Sequence, residues 1–358
     1  MVKKKKIISV VGARPQFIKC KPLSDKLRRY FKEIILHTGQ HYDDNMSKIF
    51  FEQMKIPKPD YNLGVGSGLQ GEQTGKMLIG IEKVLIKEGA DLVIVYGDTN
   101  STLAGALAAS KLNIPVAHIE AGLRSFNKNM PEEQNRIVTD HLSDLLFVPS
   151  EQGMKNLRAE GLLEKSFFVG DIMYDSVIIN YGIAKRSSKI IKDMRLKENE
   201  YYLCTIHRAS NTDNKENLKK LLESLSELDK KVIFPIHPRT EKFIKLYNLK
   251  YDKDKICIIK PVGYLDMLML VKNSYKVLTD SGGLQKESFY LGKEVVVLRD
   301  ETEWVELVKI GVSYLAGVNK EKIVKFSIKR PKKIDKIYLY GKGDTAIKIV
   351  EILRNYLK

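Results

Sequence analysis

The chain has 358 residues, 43% of them hydrophobic and 29% charged, with a formal charge of +17. That length exceeds one ordinary core and fits two α/β domains, and the composition is that of a soluble globular protein. No apolar run approaches the roughly 18 residues that cross a bilayer, and Arg14 and Pro15 cut short the apolar opening, so no membrane contact is expected and the cytoplasm is the expected location.

Short apolar runs alternate with helical periodicities from end to end, the pattern of parallel sheets covered by helices. Strands are predicted at Ile7–Val11, Glu33–His37, Leu92–Val95, Val116–Ile119, Leu145–Val148 and Phe167–Val169. A second series runs Tyr201–Ile206, Val232–Ile236, Ile256–Ile259, Tyr275–Leu278 and Val295–Leu298. Residues 171–200 hold helical segments rich in Lys and Ser but no strand, which places the domain junction there. The expected division is 1–170 plus a returning helix at 344–358, and 171–343. The expected fold class is α/β: two Rossmann-like domains of parallel strands facing across a cleft.

Open parallel sheets bind ligands at the carboxyl ends of their strands, so the residues that follow each strand are the informative ones. In the first half these are Gly12-Ala13-Arg14-Pro15, Gly97-Asp98-Thr99 and Glu120-Ala121-Gly122-Leu123-Arg124. In the second they are His207-Arg208, His237-Pro238-Arg239 and Asp280-Ser281-Gly282-Gly283. The charge is spread along the whole length with no arginine–aromatic module, which argues against nucleic acid and leaves a locally positive cleft for an anionic substrate. Cys20, Cys204 and Cys257 have neither disulfide nor metal spacing, and no histidine or carboxylate cluster suggests a metal.

Thr279-Asp280-Ser281-Gly282-Gly283-Leu284-Gln285-Lys286-Glu287 joins a strand to a helix through two glycines. Glycine lets the backbone approach a charged group, and the first amides of a helix are unpaired and partially positive, so the turn suits a phosphate. Glu287 leans back toward that end and suits a ribose diol. The plainer alternative is a packing turn with a solvated Glu287. Arg14 would add a guanidinium to a phosphate at the first turn, and Lys19 a second positive charge. Gly66-Ser67-Gly68-Leu69-Gln70-Gly71 is a literal GxGxxG, but Pro57 and Pro59 before it exclude the central strand that a dinucleotide turn requires. It reads instead as a loop leading into a helix at 71–88.

Asp98 and Glu120 each end an apolar strand, where an uncompensated carboxylate is costly. Asp98 could cap the helix that starts at Thr99; Glu120 has no such structural role. Glu132 and Glu133 follow Pro131 and fit the first turn of a helix, with Arg136 one turn on, placed to orient Glu132 or keep it ionised. Any two of these carboxylates in a cleft could serve as acid and base. His207 and His237, each followed by an arginine, suit contact with an anion.

Taken in order, Gly12-Ala13-Arg14-Pro15, Gly97-Asp98-Thr99, Glu120-Ala121-Gly122-Leu123-Arg124, Pro131-Glu132-Glu133-Gln134-Asn135-Arg136, His207-Arg208 and Thr279 to Glu287 resemble the non-hydrolysing UDP-N-acetylglucosamine 2-epimerases over nearly the full length. The resemblance implies a glycosyltransferase-B-like fold, a homodimer, and interconversion of UDP-GlcNAc and UDP-ManNAc with neither cofactor nor metal. It implies that Ser281, Gly282 and Gly283 hold the diphosphate, that Glu287 takes the ribose hydroxyls, and that Arg14 and His207 join the phosphate side, where Lys19 would add its charge. Asp98, Glu120 and Glu132, with His207, become the catalytic set. Gln40 and His41 fit the motif with which bacterial members bind a second UDP-GlcNAc as activator. The chain departs from many bacterial members at Thr302-Glu303-Trp304-Val305-Glu306, where they carry Thr-Glu-Arg-Pro-Glu, and at Ala209-Ser210 after His207-Arg208, where they carry Arg-Glu. Trp304 and the run Gly39 to Asp44 are closer to a branch that includes epimerases of UDP-2,3-diacetamido-glucuronate. A glycosyltransferase of the same fold is the rival from another class.

Overall fold

The structure, a computed structural model, describes residues 4–40, 56–334 and 338–358. Two compact units emerge, one formed by the chain up to Ile179 together with Tyr338–Lys358, the other by Asn180–Ile337. The first is built on β1 (Lys6–Val11), β2 (Lys32–His37), β3 (Tyr61–Asn62), β4 (Leu92–Tyr96), β5 (Val116–Ile119), β6 (Leu145–Val148) and β7 (Ser166–Phe168). These pair in the order β3-β2-β1-β4-β5-β6-β7, all parallel. The second unit is built on β8 (Tyr201–Thr205), β9 (Lys231–Pro235), β10 (Ile256–Ile259), β11 (Val277–Thr279), β12 (Val295–Val297) and β13 (Ser313–Leu315). Their order is β10-β9-β8-β11-β12-β13, again all parallel.

A parallel sheet needs a crossover between successive strands, and helices supply it on both faces, so its strands are apolar throughout rather than alternating. Ile7, Ile8, Val10 and Val11 of β1 are accordingly all fully buried. On one face Ile8 and Val10 join Val93 and Val95 of β4 and Met77, Ile81 and Leu85 of the helix Gln70–Glu88. In the second unit Tyr202, Cys204, Val232 and Phe234 pack against Leu218, Leu221, Leu222 and Leu225 of the helix Lys215–Ser226. The last helix, Thr345–Tyr356, belongs to the first unit, where the Asp175 carboxylate accepts from Thr345 N at 3.2 Å and Ala346 N at 3.0 Å.

All the expected strands form, with ends shifted by a residue or two; the fourth strand of the second series starts at Val277 rather than Tyr275. Two strands are additional. β13 is three residues, and β3 is two residues at the sheet edge, where Pro57 and Pro59 confine it. The segment after β7 carries the helices Ile172–Ser187 and Ile190–Asp193 and no strand, as expected. The GxGxxG segment follows edge strand β3 and runs into the helix Gln70–Glu88, so it is not a dinucleotide turn.

Both orders reverse direction once, between β1 and β4 in the first unit and between β8 and β11 in the second. The chain leaves neighbouring strands in opposite directions at such a point, which opens a crevice at their carboxyl ends. The first crevice is bordered by Gly12 and Gly97, and the second by Ile206 and Asp280. Close approach there depends on Gly12: a Cβ at this position would lie 2.1 Å from both Ser101 Oγ and Thr38 Oγ1. Gly12→Ala should therefore lower unfolding free energy by about 1–3 kcal/mol in urea titration, the range for an overpacked site.

Candidate functional site

In the first unit the exits of β1 and β4 are clasped by one buried amide. Gln16 Oε1 accepts from Gly12 N at 2.7 Å and Ala13 N at 2.9 Å, while its Nε2 donates to Tyr96 O at 2.8 Å and Thr99 Oγ1 at 2.9 Å. Sequence reasoning assigned Gln16 no role; its one signal is a polar amide on the buried face of the helix Arg14–Tyr30. Beyond the clasp the helix Asn100–Lys111 begins, and Thr99 caps it, its Oγ1 accepting from Thr102 N. This corrects the option of Asp98 as the cap. The Asp98 side chain is thereby left for other work.

Asp98 is paired instead with Arg136 NH2, and Arg136 NH1 reaches Glu133 Oε2 at 3.2 Å. Arg136 was expected to serve Glu132; the approach of Asp98 from another element and the neighbour Glu133 claim it. Glu133 is buried and structural, accepting from Ser125 N at 2.8 Å and Phe126 N at 2.9 Å. Glu132 is exposed, close enough to Asp98 to act on its charge. Burial raises the Asp98 carboxyl above its ordinary value; Arg136 and Lys19 pull it down, while Glu120 and Glu132 push it further up.

Glu120 closes β5 with a left-handed backbone, φ 74°, and its carboxylate pairs with Lys19 Nζ, each side chain 12% exposed. Lys19, grouped by sequence with the phosphate residues, thus sits among the carboxylates. Burial opposes its charge, but Glu120 outweighs burial, aided by Asp171 and Asp98, and its pKa lies above the ordinary lysine value. The ammonium is therefore retained at neutral pH. Arg14 opens the helix at the β1 exit, though its side chain lies outside the described residues. Gln40 Oε1 accepts from Ser101 Oγ at 2.6 Å and Ser101 N at 3.1 Å, whereas His41 lies outside the described residues.

In the second unit β11 ends at Thr279, and Ser281 caps the helix Gly282–Tyr290 by accepting from Leu284 N at 3.4 Å. Gly282 and Gly283 are the first residues of that helix, and their amides have no acceptor within it. Glu287 is buried in the same helix. Asp280, fully buried just before the turn, accepts from His207 N at 2.9 Å, Arg208 N at 2.9 Å and Asn211 Nδ2 at 3.1 Å. It thereby fastens the β8 exit to the phosphate-type turn. His207 Nδ1 lies 3.3 Å from Asp280 Oδ1, and burial lowers the imidazole below its ordinary value despite that carboxylate, with His237 and Arg208 adding to the effect.

Arg208 is exposed beside this turn, whereas His237 and Arg239 are engaged locally: His237 Nδ1 accepts from Arg239 N at 3.1 Å, and Arg239 pairs with Asp213. The departure at Trp304 packs on the turn itself. Its indole Nε1 donates to Gly282 O at 2.8 Å, and Lys286 Nζ lies 4.1 Å from the ring centroid. Among the described residues no group of three or more His, Cys, Asp or Glu could hold a metal ion, and no helix is long and apolar enough to cross a membrane. One unit thus gathers three carboxylates with two cations, a set able to move protons; the other presents helix amides, a neutral histidine and an exposed arginine, a set able to hold an anion.

A family model described as UDP-N-acetylglucosamine 2-epimerase matches residues 25–354. A UDP-N-acetylglucosamine 2-epimerase homolog of Methanococcus maripaludis is 52% identical over 98% of this chain and 99% of its own length. The UDP-2,3-diacetamido-2,3-dideoxy-D-glucuronate 2-epimerase of Pseudomonas aeruginosa is 48% identical over 97% and 99%. The crystal structure of Methanocaldococcus jannaschii UDP-GlcNAc 2-epimerase in complex with UDP-GlcNAc and UDP matches with a TM-score of 0.85 at 48% identity, over 98% of this chain and 99% of that one.

The Arg136–Asp98 pair makes a direct prediction. Arg136 is the main charge that pulls Asp98 down, so Arg136→Gln should move the Asp98 carboxyl titration, followed by carbon-detected NMR, to higher pH. An unmoved titration would mean that the guanidinium does not act on Asp98.

Proposed function

Since the chain belongs to the UDP-N-acetylglucosamine 2-epimerase family, we propose that it is an isomerase that interconverts UDP-GlcNAc and UDP-ManNAc by eliminating UDP and adding it back. The observation that carries this reading is the joint presence of an anion-holding turn at the β8–β11 switch point and a compensated carboxylate set at the β1–β4 switch point. The C2 hydrogen of an N-acetylhexosamine has no adjacent carbonyl to acidify it. Loss of UDP from C1 makes it removable: the C2–H and C1–O bonds break, a C1=C2 double bond forms, and 2-acetamidoglucal and UDP result. A proton delivered to the opposite face of C2, with the diphosphate oxygen returning to C1, completes the inversion. The site must supply acid and base, stabilise the departing diphosphate, and retain it.

Ser281, Gly282 and Gly283 take the diphosphate and Glu287 the ribose hydroxyls, with Arg14 on the phosphate side. Asp98 and Glu120 transfer the protons at C2, with Glu132 the third carboxylate of the set. The pKa of Asp98, raised by burial, brings it nearer the range where one carboxyl can both accept and donate. By family resemblance His207, whose Nδ1 faces Asp280, joins the phosphate side. Lys19 pairs with Glu120 rather than contacting phosphate. By family resemblance the enzyme works as a homodimer in the cytoplasm. The Pseudomonas relative favours one second reading, the same chemistry on UDP-2,3-diacetamido-2,3-dideoxy-D-glucuronate.

Incubation with UDP-GlcNAc alone in deuterated water should give UDP-ManNAc carrying deuterium at C2; substrate that turns over only with an acceptor would instead indicate a glycosyltransferase. Offering the diacetamido-glucuronate in parallel decides between the two epimerase readings by kcat/KM. Ser281→Ala and Glu287→Ala should weaken UDP binding by about 10-fold. Trp304, the single tryptophan and in contact with the turn, offers a fluorescence readout. Asp98→Asn and Glu120→Gln should lower kcat by about 100-fold or more with UDP affinity retained.

A further inference from the structure

A buried ion network outside the proton-transfer set joins the two strand exits that carry Asp98 and Glu120. His118, within β5, is fully buried, with Nδ1 2.7 Å from Asp140 Oδ1 and Nε2 2.7 Å from the Gly97 carbonyl oxygen. Asp140, also fully buried, accepts from Gly122 N at 3.1 Å and pairs with Arg124 NH1 at 2.7 Å through its other oxygen. Arg124 continues to Glu160 with two bonds of 2.7 Å. A carbonyl oxygen only accepts, so Nε2 donates to Gly97 O. Burial pushes the Asp140 carboxyl up, but His118 and Arg124 outweigh it and hold it below its ordinary value.

The backbone ends of this network fall on either side of the reactive groups. Gly97 immediately precedes Asp98, and Gly122 is the second residue after Glu120. The backbone is left-handed at Gly97 (φ 66°), Glu120 (φ 74°) and Gly122 (φ 79°). Such a conformation at a non-glycine residue such as Glu120 persists only where the surroundings hold it. At Gly122 a side chain is excluded as well, since a Cβ would lie 2.7 Å from Gly153 O. Asp140 stands on the helix Pro131–Leu142, the element whose Arg136 pairs with Asp98 and whose Asn135 Nδ2 donates to Asp98 O at 2.9 Å. One helix therefore addresses Asp98 directly and the Glu120 loop through Asp140.

We propose that His118 and Asp140 are positioning residues of the epimerisation: together they lock the exits of β4 and β5 and so set the spacing of the Asp98 and Glu120 carboxylates. The inference rests on the acid–base reading of those two carboxylates. Proton removal from one face of C2 and delivery to the other depends on that spacing, and a displacement of about 1 Å can lower the rate about 100-fold.

His118→Gln and Asp140→Asn, purified and compared with the wild type by thermal melting, UDP titration and steady-state epimerisation, test the inference. The expected result is a fall in kcat of about 100-fold in the folded protein, with KM and UDP affinity unchanged. Glu160→Gln, at a side chain 26% exposed, loosens the outer end of the network without entering the core and should give a smaller fall in kcat with the same pattern. Wild-type kcat in the folded variants overturns the proposal, as does loss of activity only in proportion to the unfolded fraction. If His118→Gln and Asp140→Asn do not fold, the kcat of Glu160→Gln decides. Absence of C2 exchange in the wild type would instead remove the acid–base reading and the proposal with it.

Discussion

Carboxylates at the ends of buried parallel strands must be compensated by partners that come from other elements, and the first unit is organised around that requirement. Glu120 is answered by Lys19 from the helix after β1, Asp98 by Arg136 from the helix after β5, and Asp140 by His118 and Arg124. Removing one partner from the buried pairs would leave a charge poorly compensated, a state less favourable than the pair. The same compensation suits chemistry. A carboxylate paired with a neighbour whose own charge is secure suits proton transfer, and one raised by burial, such as Asp98, can give a proton back.

The second unit answers the opposite demand with the same topology. At its switch point it presents helix amides, a capping serine and a histidine whose burial keeps it neutral, while Asp280, the carboxylate just before the turn, is spent on backbone amides. Asp280 therefore does not repel an anion as an exposed carboxylate would; it ties His207 and Arg208 to the turn. The division suits a reaction in which the diphosphate leaves C1 and must be kept, since the group that departs and the carbon that exchanges its proton call for different surroundings.

Much of this was legible in the sequence, because parallel strands buried on both faces are continuous apolar runs and the residues that follow them are chemically conspicuous. The two-residue β3 and three-residue β13 were not, since neither is long enough to carry a pattern. Local spacing misled at Arg136, where a turn-length interval pointed to Glu132, but Asp98 arrives across the sheet. It misled at Asp98 as a cap, because Thr99, one residue on, has the geometry for the role. Gln16 and the His118–Asp140 pair were invisible for a shared reason. Their meaning lies in which backbone groups meet them across the fold, 80 residues away for Gln16 and Tyr96 and 22 for the buried pair.

The central claim is that UDP separates from the sugar and returns within the protein. Substrate labelled with oxygen-18 in the bond between C1 and the β-phosphate tests it most directly, with phosphorus NMR following the label during epimerisation. The account predicts that the label scrambles between bridging and non-bridging positions of the β-phosphate as UDP-ManNAc forms. Inversion at C2 with the label fixed in the bridge would contradict it.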